Sequence, residues 1–253
     1  MVIGLIGAGS MGSALARGLG EPILVSDAEA GRAEALAREL GGEAVASSAE
    51  LAERAGIVVL AHKPAGLEQV AGELDGRARA VASILGGVPV ATLERAYPDT
   101  PVYRFMPNIP AEVRRAVVSY ARGTRAADGP ERELLESMAR LGTVVELDER
   151  LLEPATALAG CGPAFFSLAL EALIDAGVRH GLPAETATLL ATETMAGTAA
   201  MLAGDGLDPG ELRRRVTSPG GSTARGLEAL ERGGLRAAFS DAVGAVVSGG
   251  TTR

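Results

Sequence analysis

The apolar positions of the chain change their spacing once, near Leu147. Before that point, short apolar runs alternate with stretches of helical spacing, which is typical of successive strand–helix units around a parallel sheet. From Asp148 onward the spacing is almost wholly helical. We therefore predict an α/β protein with a doubly wound sheet over residues 1–147 and an all-helical domain over residues 148–253.

The predicted elements follow from these runs and from the Gly and Pro residues between them. The predicted strands cover residues 2–6, 22–25, 44–45, 57–60, 78–85, 101–105, 117–121 and 143–147. The predicted helices cover residues 13–19, 28–40, 49–54, 89–96, 130–141, 151–159, 164–180, 184–203, 224–230 and 235–247. Strands this apolar are expected to be buried in a parallel sheet.

A glycine-rich turn follows the first strand and runs into a helical pattern at residue 13. Its residues are Gly7, Ala8, Gly9, Ser10, Met11 and Gly12. In a strand–GxGxxG–helix arrangement the first glycine permits a tight turn, the second lets the backbone approach a pyrophosphate, and the third lets helix and strand pack closely. The sequence therefore predicts a dinucleotide site and a Rossmann-type fold for the first domain.

The end of the second strand bears on the choice of dinucleotide. Asp27 lies 20 positions beyond Gly7, where a carboxylate can accept the adenosine ribose hydroxyls of NADH. Ser26, Ser48 and Arg32 could instead hold the 2′-phosphate of NADPH. Asp27 could also cap the helix over 28–40. The sequence is therefore compatible with either NADH or NADPH.

Two further loops follow strands whose carboxyl ends should meet the cofactor. The first loop, residues 61–64, consists of Ala61, His62, Lys63 and Pro64. Lys63 is the only lysine of the chain. A single histidine such as His62 more often has no catalytic role in a loop of this kind. Residues 106–110 hold Asn108 between two prolines. Its amide could reach a nicotinamide carboxamide or merely close an Asx turn.

The helical half predicts both an interface and an anion site. The helix over 164–180 is apolar nearly all round, which favours an obligate dimer. The loop over 216–223 contains Gly220, Gly221 and several hydroxyl residues, and Ser222 or Thr223 is expected to cap the next helix. A helix start of this kind suits a carboxylate, although a plain connector would have the same composition.

Composition narrows the classes of function. A net charge of −8, 3% aromatic residues and no Trp argue against a nucleic-acid or anionic-membrane partner. No apolar run reaches the roughly 20 residues of a membrane span, and a strand beginning at Val2 leaves no room for a signal peptide. A single Cys161 and the lack of a clustered ligand set predict neither a disulfide nor a metal site. We expect a cytoplasmic protein.

Together these motifs resemble those of pyrroline-5-carboxylate reductases, the family of the last step of proline biosynthesis. The resemblance runs nearly end to end and rests on residues 7–12, 63–64, 106–110, 160–164 and, above all, 216–223. It implies reduction of the cyclic imine L-1-pyrroline-5-carboxylate to L-proline by hydride transfer from NADPH or NADH. It also implies a Rossmann domain and a helical domain that dimerises by interlocking, with dimers often assembling into a decamer.

The resemblance also implies roles for individual residues. The substrate carboxylate would be held by Ser218, Gly220, Gly221, Ser222 and Thr223, and the Thr223 hydroxyl would meet the ring nitrogen as the catalytic group. The cofactor would contact residues 7–12, with Ser26 and Ser48 at the adenosine ribose and Lys63 and Asn108 along the nicotinamide half. We also expect cofactor contacts from Asp27, by its spacing after Gly7, and from Ala61 and Pro64, which flank Lys63 in the loop over 61–64.

Three departures from the family pattern accompany the resemblance. Residues 113–116 stand where a glycine-bearing stretch is usual, and Cys161 stands where Ser is common. Asp27 is unusual for a family that generally takes NADPH.

Two other functions fit the sequence less well. A β-hydroxyacid dehydrogenase would need a lysine in the helical half, where none occurs, and a nucleotide sensor without turnover would leave the Pro-Gly-Gly loop without a task.

Overall fold

The computed structural model describes residues 1–204 and 206–250, so Asp205 and residues 251–253 of the predicted helical domain lie outside it. All eight predicted strands are present, with ends shifted by a few residues. They are β1 (Ile3–Ile6), β2 (Leu24–Ser26), β3 (Glu43–Ala44), β4 (Ile57–Leu60), β5 (Val81–Ser83), β6 (Val102–Met106), β7 (Ala116–Arg122) and β8 (Gly142–Glu146).

These strands form one sheet in the order β3-β2-β1-β4-β5-β6-β7-β8. Every neighbouring pair is parallel except β6 and β7. The strand order reverses between β1 and β4, which makes this point the topological switch of a doubly wound sheet. Ile6 pairs with both Ser26 and Leu60, so the loops that follow β1, β2 and β4 begin side by side. The predicted fold class is confirmed.

Seven helices of the described chain belong wholly to the first 163 residues. They are α1 (Ser10–Leu19), α2 (Ala30–Leu40), α3 (Ser48–Arg54), α4 (Leu67–Leu74), α5 (Val90–Ala96), α6 (Glu131–Ala139) and α7 (Leu152–Ala155). Helix α4 is absent from the sequence prediction, although Leu67, Val70 and Leu74 have the spacing of a buried helical face.

The core lies on both faces of the sheet because successive strand side chains point to opposite sides. On β1, Leu5 belongs to a cluster with Leu15 and Phe105, whereas Ile6 belongs to a second cluster with Leu51 and Leu60. Each of these six side chains is almost fully buried. This packing holds the carboxyl ends of the strands rigidly beside the glycine-rich turn.

The remaining helices are α8 (Gly162–Arg179), α9 (Ala184–Gly204), α10 (Pro209–Arg215), α11 (Ser222–Arg232) and α12 (Leu235–Gly250). Residue contacts divide the chain into two compact units, Met1–Pro163 and Ala164–Arg253. The predicted division after Leu147 lies earlier in the chain. The first unit extends further because α7 contributes the buried Leu152 to its core.

The gap predicted between the helices over 151–159 and 164–180 is present but shorter than expected. A π-helical turn, Thr156–Gly160, continues α7, and only Cys161 separates it from α8. The resulting stretch Glu149–Arg179 is long and apolar enough to cross a membrane by length and composition alone, since an 18-residue window within it has a mean hydropathy of 1.7. The sequence shows no uninterrupted apolar run of that length.

Large apolar side chains are exposed on the helices of the second unit in the single chain. They include Phe166, Leu168, Leu173, Leu189, Leu190 and Leu230. Large exposed apolar patches are typical of protein or membrane contacts.

Candidate active site

The glycine-rich turn is shaped by contacts that exclude side chains at two of its three glycines. Gly7 has φ of +108°, and a Cβ there would lie 2.6 Å from the backbone of Ala61 and His62. A Cβ on Gly12 would collide with the carbonyl oxygen of Gly7. At Gly9, by contrast, a Cβ would meet nothing within 4 Å. The space above Gly9 is therefore open for the close approach of a ligand.

Helix α1 starts directly at this turn. Gly9 is its N-cap residue, no side chain caps the helix, and its first turn carries no acidic residue. Ser10 is exposed, and Met11 is half-buried. The first N–H groups of a helix lack intrahelical acceptors and carry partial positive charge, so this helix start can bind a pyrophosphate.

Asp27 connects the second strand to the glycine-rich turn. Its Oδ2 accepts the N–H of Ala8 at 2.6 Å, and its Oδ1 accepts the N–H of Glu29 at 2.8 Å. Helix α2 begins at Ala30, with Glu29 in the N-cap position. Asp27 is therefore not the cap residue of α2. Its carboxylate instead holds the turn that precedes the helix.

The two serines predicted at the adenosine ribose are both buried. Ser26 is the last residue of β2, and its carbonyl oxygen accepts the N–H of Gly7 at 2.8 Å. The Ser48 hydroxyl faces the Glu73 carboxylate, and together with the hydrogen bond from Gln69 it lowers the pKa of Glu73. The Ser48 hydroxyl therefore faces an acidic side chain of the protein.

The loop after β4 presents Lys63 to solvent and keeps His62 half-buried. Pro64 then starts a 3-10 turn, Pro64–Gly66. His62 donates from Nδ1 to the carbonyl oxygen of Lys63 at 2.8 Å, and its Nε2 is buried with no partner among the described residues. Burial lowers the pKa of His62, against smaller raising effects of that hydrogen bond and of Glu73. His62 thus shapes the backbone of Lys63.

Asn108, after β6, is buried, and its amide is bound on both sides. Nδ2 donates to the carbonyl oxygen of Ala159, and Oδ1 accepts the N–H of Val117, each at 3.0 Å. An Asx turn to Pro110 is impossible because proline has no N–H. The side chain joins distant segments, and this rules out the local-turn interpretation.

The Pro-Gly-Gly loop joins α10 to α11. The Thr217 hydroxyl donates to the carbonyl oxygen of Arg213 at 2.6 Å, so it closes the end of α10. Gly220 has φ of +68°, which completes the turn. The predicted cap is wrong: Gly221 is the N-cap residue of α11, no side chain caps the helix, and Ser222 is its first residue.

Three exposed hydroxyls surround this uncapped helix start. Those of Ser218, Ser222 and Thr223 make no hydrogen bond within the part of the chain that the structure describes. Arg225, which the sequence analysis missed, donates from its guanidinium to the carbonyl oxygen of Gly220 at 2.7 Å. Its position in the first turn of α11 is the sequence feature that could have indicated a role in anion binding. The loop thus offers N–H groups, hydroxyls and positive charge to an anion.

Comparisons with known proteins match this geometry. Residues 149–251 match the family model described as pyrroline-5-carboxylate reductase dimerisation, and residues 2–87 match the model described as NADP oxidoreductase, coenzyme F420-dependent. The pyrroline-5-carboxylate reductase of Methanosarcina acetivorans is 38% identical over 252 residues, which covers 95% of this chain and 93% of the relative. The chain belongs to the pyrroline-5-carboxylate reductase family.

Solved pyrroline-5-carboxylate reductases share the fold along their whole length. The Plasmodium falciparum enzyme, crystallised with NADP bound, is 28% identical with a TM-score of 0.88, covering 99% of this chain and 97% of that one. The Streptococcus pyogenes enzyme is 28% identical with a TM-score of 0.89, covering 100% and 99%. The chain is an NAD(P)H-dependent enzyme that reduces pyrroline-5-carboxylate to proline, and it forms a homo-oligomer.

Within residues 1–204 and 206–250, no three His, Cys, Asp or Glu side chains lie close enough to share a metal ion. Except for Ser48, which begins α3 after β3, the predicted dinucleotide residues lie at or just after the carboxyl ends of β1, β2, β4 and β6, along one edge of the sheet. The predicted substrate residues lie at the start of one helix in the second unit. Their roles as pyrroline-5-carboxylate reductase site residues remain predictions.

Proposed function

We propose that the start of α11 binds the carboxylate of pyrroline-5-carboxylate through the N–H groups and hydroxyls of the Pro-Gly-Gly loop. The residues are Ser218, Gly220, Gly221, Ser222 and Thr223. The observation that carries the proposal is an uncapped helix start surrounded by hydroxyls without partners in the described chain. Such a helix start stabilises an anion, and hydrogen bonds to a carboxylate are about twice as strong as neutral ones.

The dinucleotide is proposed to lie along the edge of the sheet in the first unit. Its pyrophosphate would meet residues 7–12, and the open space above Gly9 fits that group. Its adenosine ribose would meet Ser26, Asp27 and Ser48, and its nicotinamide half would meet Ala61, Lys63, Pro64 and Asn108. When bound, NAD(P)H supplies the hydride, so the protein has only to position the reactants and stabilise charge.

Thr223 is proposed to orient the ring nitrogen of the substrate. Reduction of the protonated imine adds a hydride to carbon and leaves a secondary amine with the proton already on nitrogen, so no strong general acid is needed. The Thr223 hydroxyl then accepts the N–H of the iminium, while the carboxylate fixes the ring. Fixing the ring in this way can contribute about 7–11 kcal/mol in well-aligned cases.

The helical region over 148–253 is proposed as the dimerisation and substrate domain, and the match to the dimerisation model over 149–251 supports it. We propose a homodimer at least, with a decamer as a further assembly, because the exposed apolar side chains of α8 and α9 need a partner. A second copy of the chain, rather than lipid or nucleic acid, would cover them in the cytoplasm. Light scattering should give a dimer or a multiple of it, and a monomer at working concentration would overturn this proposal.

Inhibition by the product and its fragments tests the carboxylate site. Proline should inhibit competitively against pyrroline-5-carboxylate, whereas pyrrolidine, the same ring without the carboxylate, should not inhibit at the same concentration. Prolinamide, which keeps the ring and its size but is neutral at that position, serves as the matched control. Equal inhibition by proline and pyrrolidine would contradict the proposed site.

A further inference from the structure

Asp27 is fixed in place by two hydrogen bonds from different segments. The Ala8 N–H belongs to the glycine-rich turn, and the Glu29 N–H belongs to the turn before α2. The two bonds, at 2.6 Å and 2.8 Å, use both carboxylate oxygens, and the residue is half-buried. The carboxylate therefore cannot swing away from this position without releasing both segments.

The bound carboxylate keeps acceptor capacity toward the adenosine ribose. A carboxylate has about four lone-pair sites, of which the two N–H groups use two. A ribose 2′-hydroxyl can donate to one of the remaining sites. The 2′-phosphate of NADPH at that position would bring acceptor oxygens and about −1.5 to −2 charges next to an acceptor-only anion. The geometry at Asp27 therefore favours a hydroxyl and opposes a phosphate.

The groups that could compensate a 2′-phosphate are engaged elsewhere. The Arg32 guanidinium, in the first turn of α2, binds the Glu29 carboxylate at 2.8 Å. The buried Ser48 hydroxyl faces the Glu73 carboxylate, whose pKa it lowers. Glu29 itself adds a second acidic side chain to the same turn. A phosphate would have to displace these contacts and would still face Asp27.

We propose that Asp27 makes this enzyme selective for NADH over NADPH. The inference rests on the proposed dinucleotide site and names the residue that sets its specificity.

Binding in the absence of substrate gives the first test. Calorimetric titration of the full-length protein should give a Kd for NADH at least tenfold lower than for NADPH. Asp27→Asn removes the charge but keeps one oxygen to accept an N–H. This variant should lower the ratio of the NADPH Kd to the NADH Kd at least fivefold. Glu34→Gln, an exposed change of the same charge on α2, should leave the ratio unchanged. Equal or tighter NADPH binding by the unmodified protein, or an unchanged ratio in Asp27→Asn, would overturn the proposal.

Ionic strength provides a test that does not depend on a variant. If the 2′-phosphate is repelled, raising the salt from about 50 mM to about 500 mM should narrow the gap between the two Kd values by screening. A gap that widens would show that the phosphate is attracted, and it would contradict the proposal. Turnover provides a separate measurement. If the enzyme does not reduce pyrroline-5-carboxylate with either cofactor, that result counts against the proposed substrate site. The ratio of the two Kd values still decides the role of Asp27.

Discussion

Asn108 donates a hydrogen bond from Nδ2 to the carbonyl oxygen of Ala159, 3.0 Å away and 51 positions along the chain. Because Oδ1 accepts the N–H of Val117, one buried amide ties the loop after β6 both to β7 and to the π-helical turn. An amide has a second N–H and a second lone pair. Asn108 can therefore support the fold and still offer one donor and one acceptor to a nicotinamide.

We expect Asn108→Ala to lower the free energy of unfolding by about 2–4 kcal/mol, because it leaves one buried N–H and one buried carbonyl group without partners. Urea denaturation measures this loss. Ser137→Ala removes an exposed hydroxyl that donates to the Glu133 carbonyl oxygen, and it should cost under about 0.5 kcal/mol. Similar losses in the two variants would show that the Asn108 bonds contribute little.

Gly9 and Gly7 provide a test that separates ligand binding from packing. Gly9→Val should leave stability within about 1 kcal/mol, because nothing in the chain opposes a side chain there, yet it should abolish dinucleotide binding. Gly7→Ala should instead destabilise the fold, since φ is +108° and its Cβ would press on the backbone of Ala61. Thermal melts with and without NADH distinguish the two effects. A folded Gly9→Val protein that binds NADH normally would contradict the proposed pyrophosphate position.

Thr223→Ala should lower kcat/KM for pyrroline-5-carboxylate about 10–100-fold, the loss expected for one hydrogen bond to a charged group. The Kd of the dinucleotide should stay nearly unchanged. Thr223→Ser keeps the hydroxyl and should retain most of the activity. Unchanged turnover in Thr223→Ala would exclude the proposed role at the ring nitrogen.

His62 should titrate below its ordinary pKa of 6.5, because burial disfavours its charged form. Since its pKa is lower in the folded than in the unfolded state, its contribution to stability is complete above about pH 6.5 and is lost as the pH falls through the folded pKa. The chain has two histidines, so NMR of the imidazole protons can follow both, with His180→Asn to assign them. A His62 titration at or above 6.5 would contradict the burial effect.

Local patterns were sufficient to predict the sheet and the glycine-rich turn. The spacing of Gly7, Gly9 and Gly12 after a strand is characteristic of one fold, so these glycines could be assigned although the contacts of Gly7 with Ala61 form only in the folded chain. The sequence could not reveal that Asn108 bonds to Ala159, because such a contact depends on tertiary packing rather than on neighbours in the chain.

The ends of the helices were harder to predict than the helices themselves. Ser222 and Thr223 are both good caps, yet Gly221 takes the cap position because Gly220 turns the chain with a positive φ first. The gap expected between residues 159 and 164 narrows to Cys161, because a π-helical turn that sequence spacing does not indicate extends the first helix to Gly160. Arg225 was missed because its contact with Gly220 exists only once the loop has folded back.

The dependence of turnover on the substrate carboxylate tests the role of α11 most directly. The kcat/KM for pyrroline-5-carboxylate should exceed that for 1-pyrroline, the same imine without the carboxylate, by about 100-fold or more, since two charge-assisted hydrogen bonds are worth about 3 kcal/mol or more. Equal kcat/KM values for the two imines would contradict a carboxylate site at the start of α11.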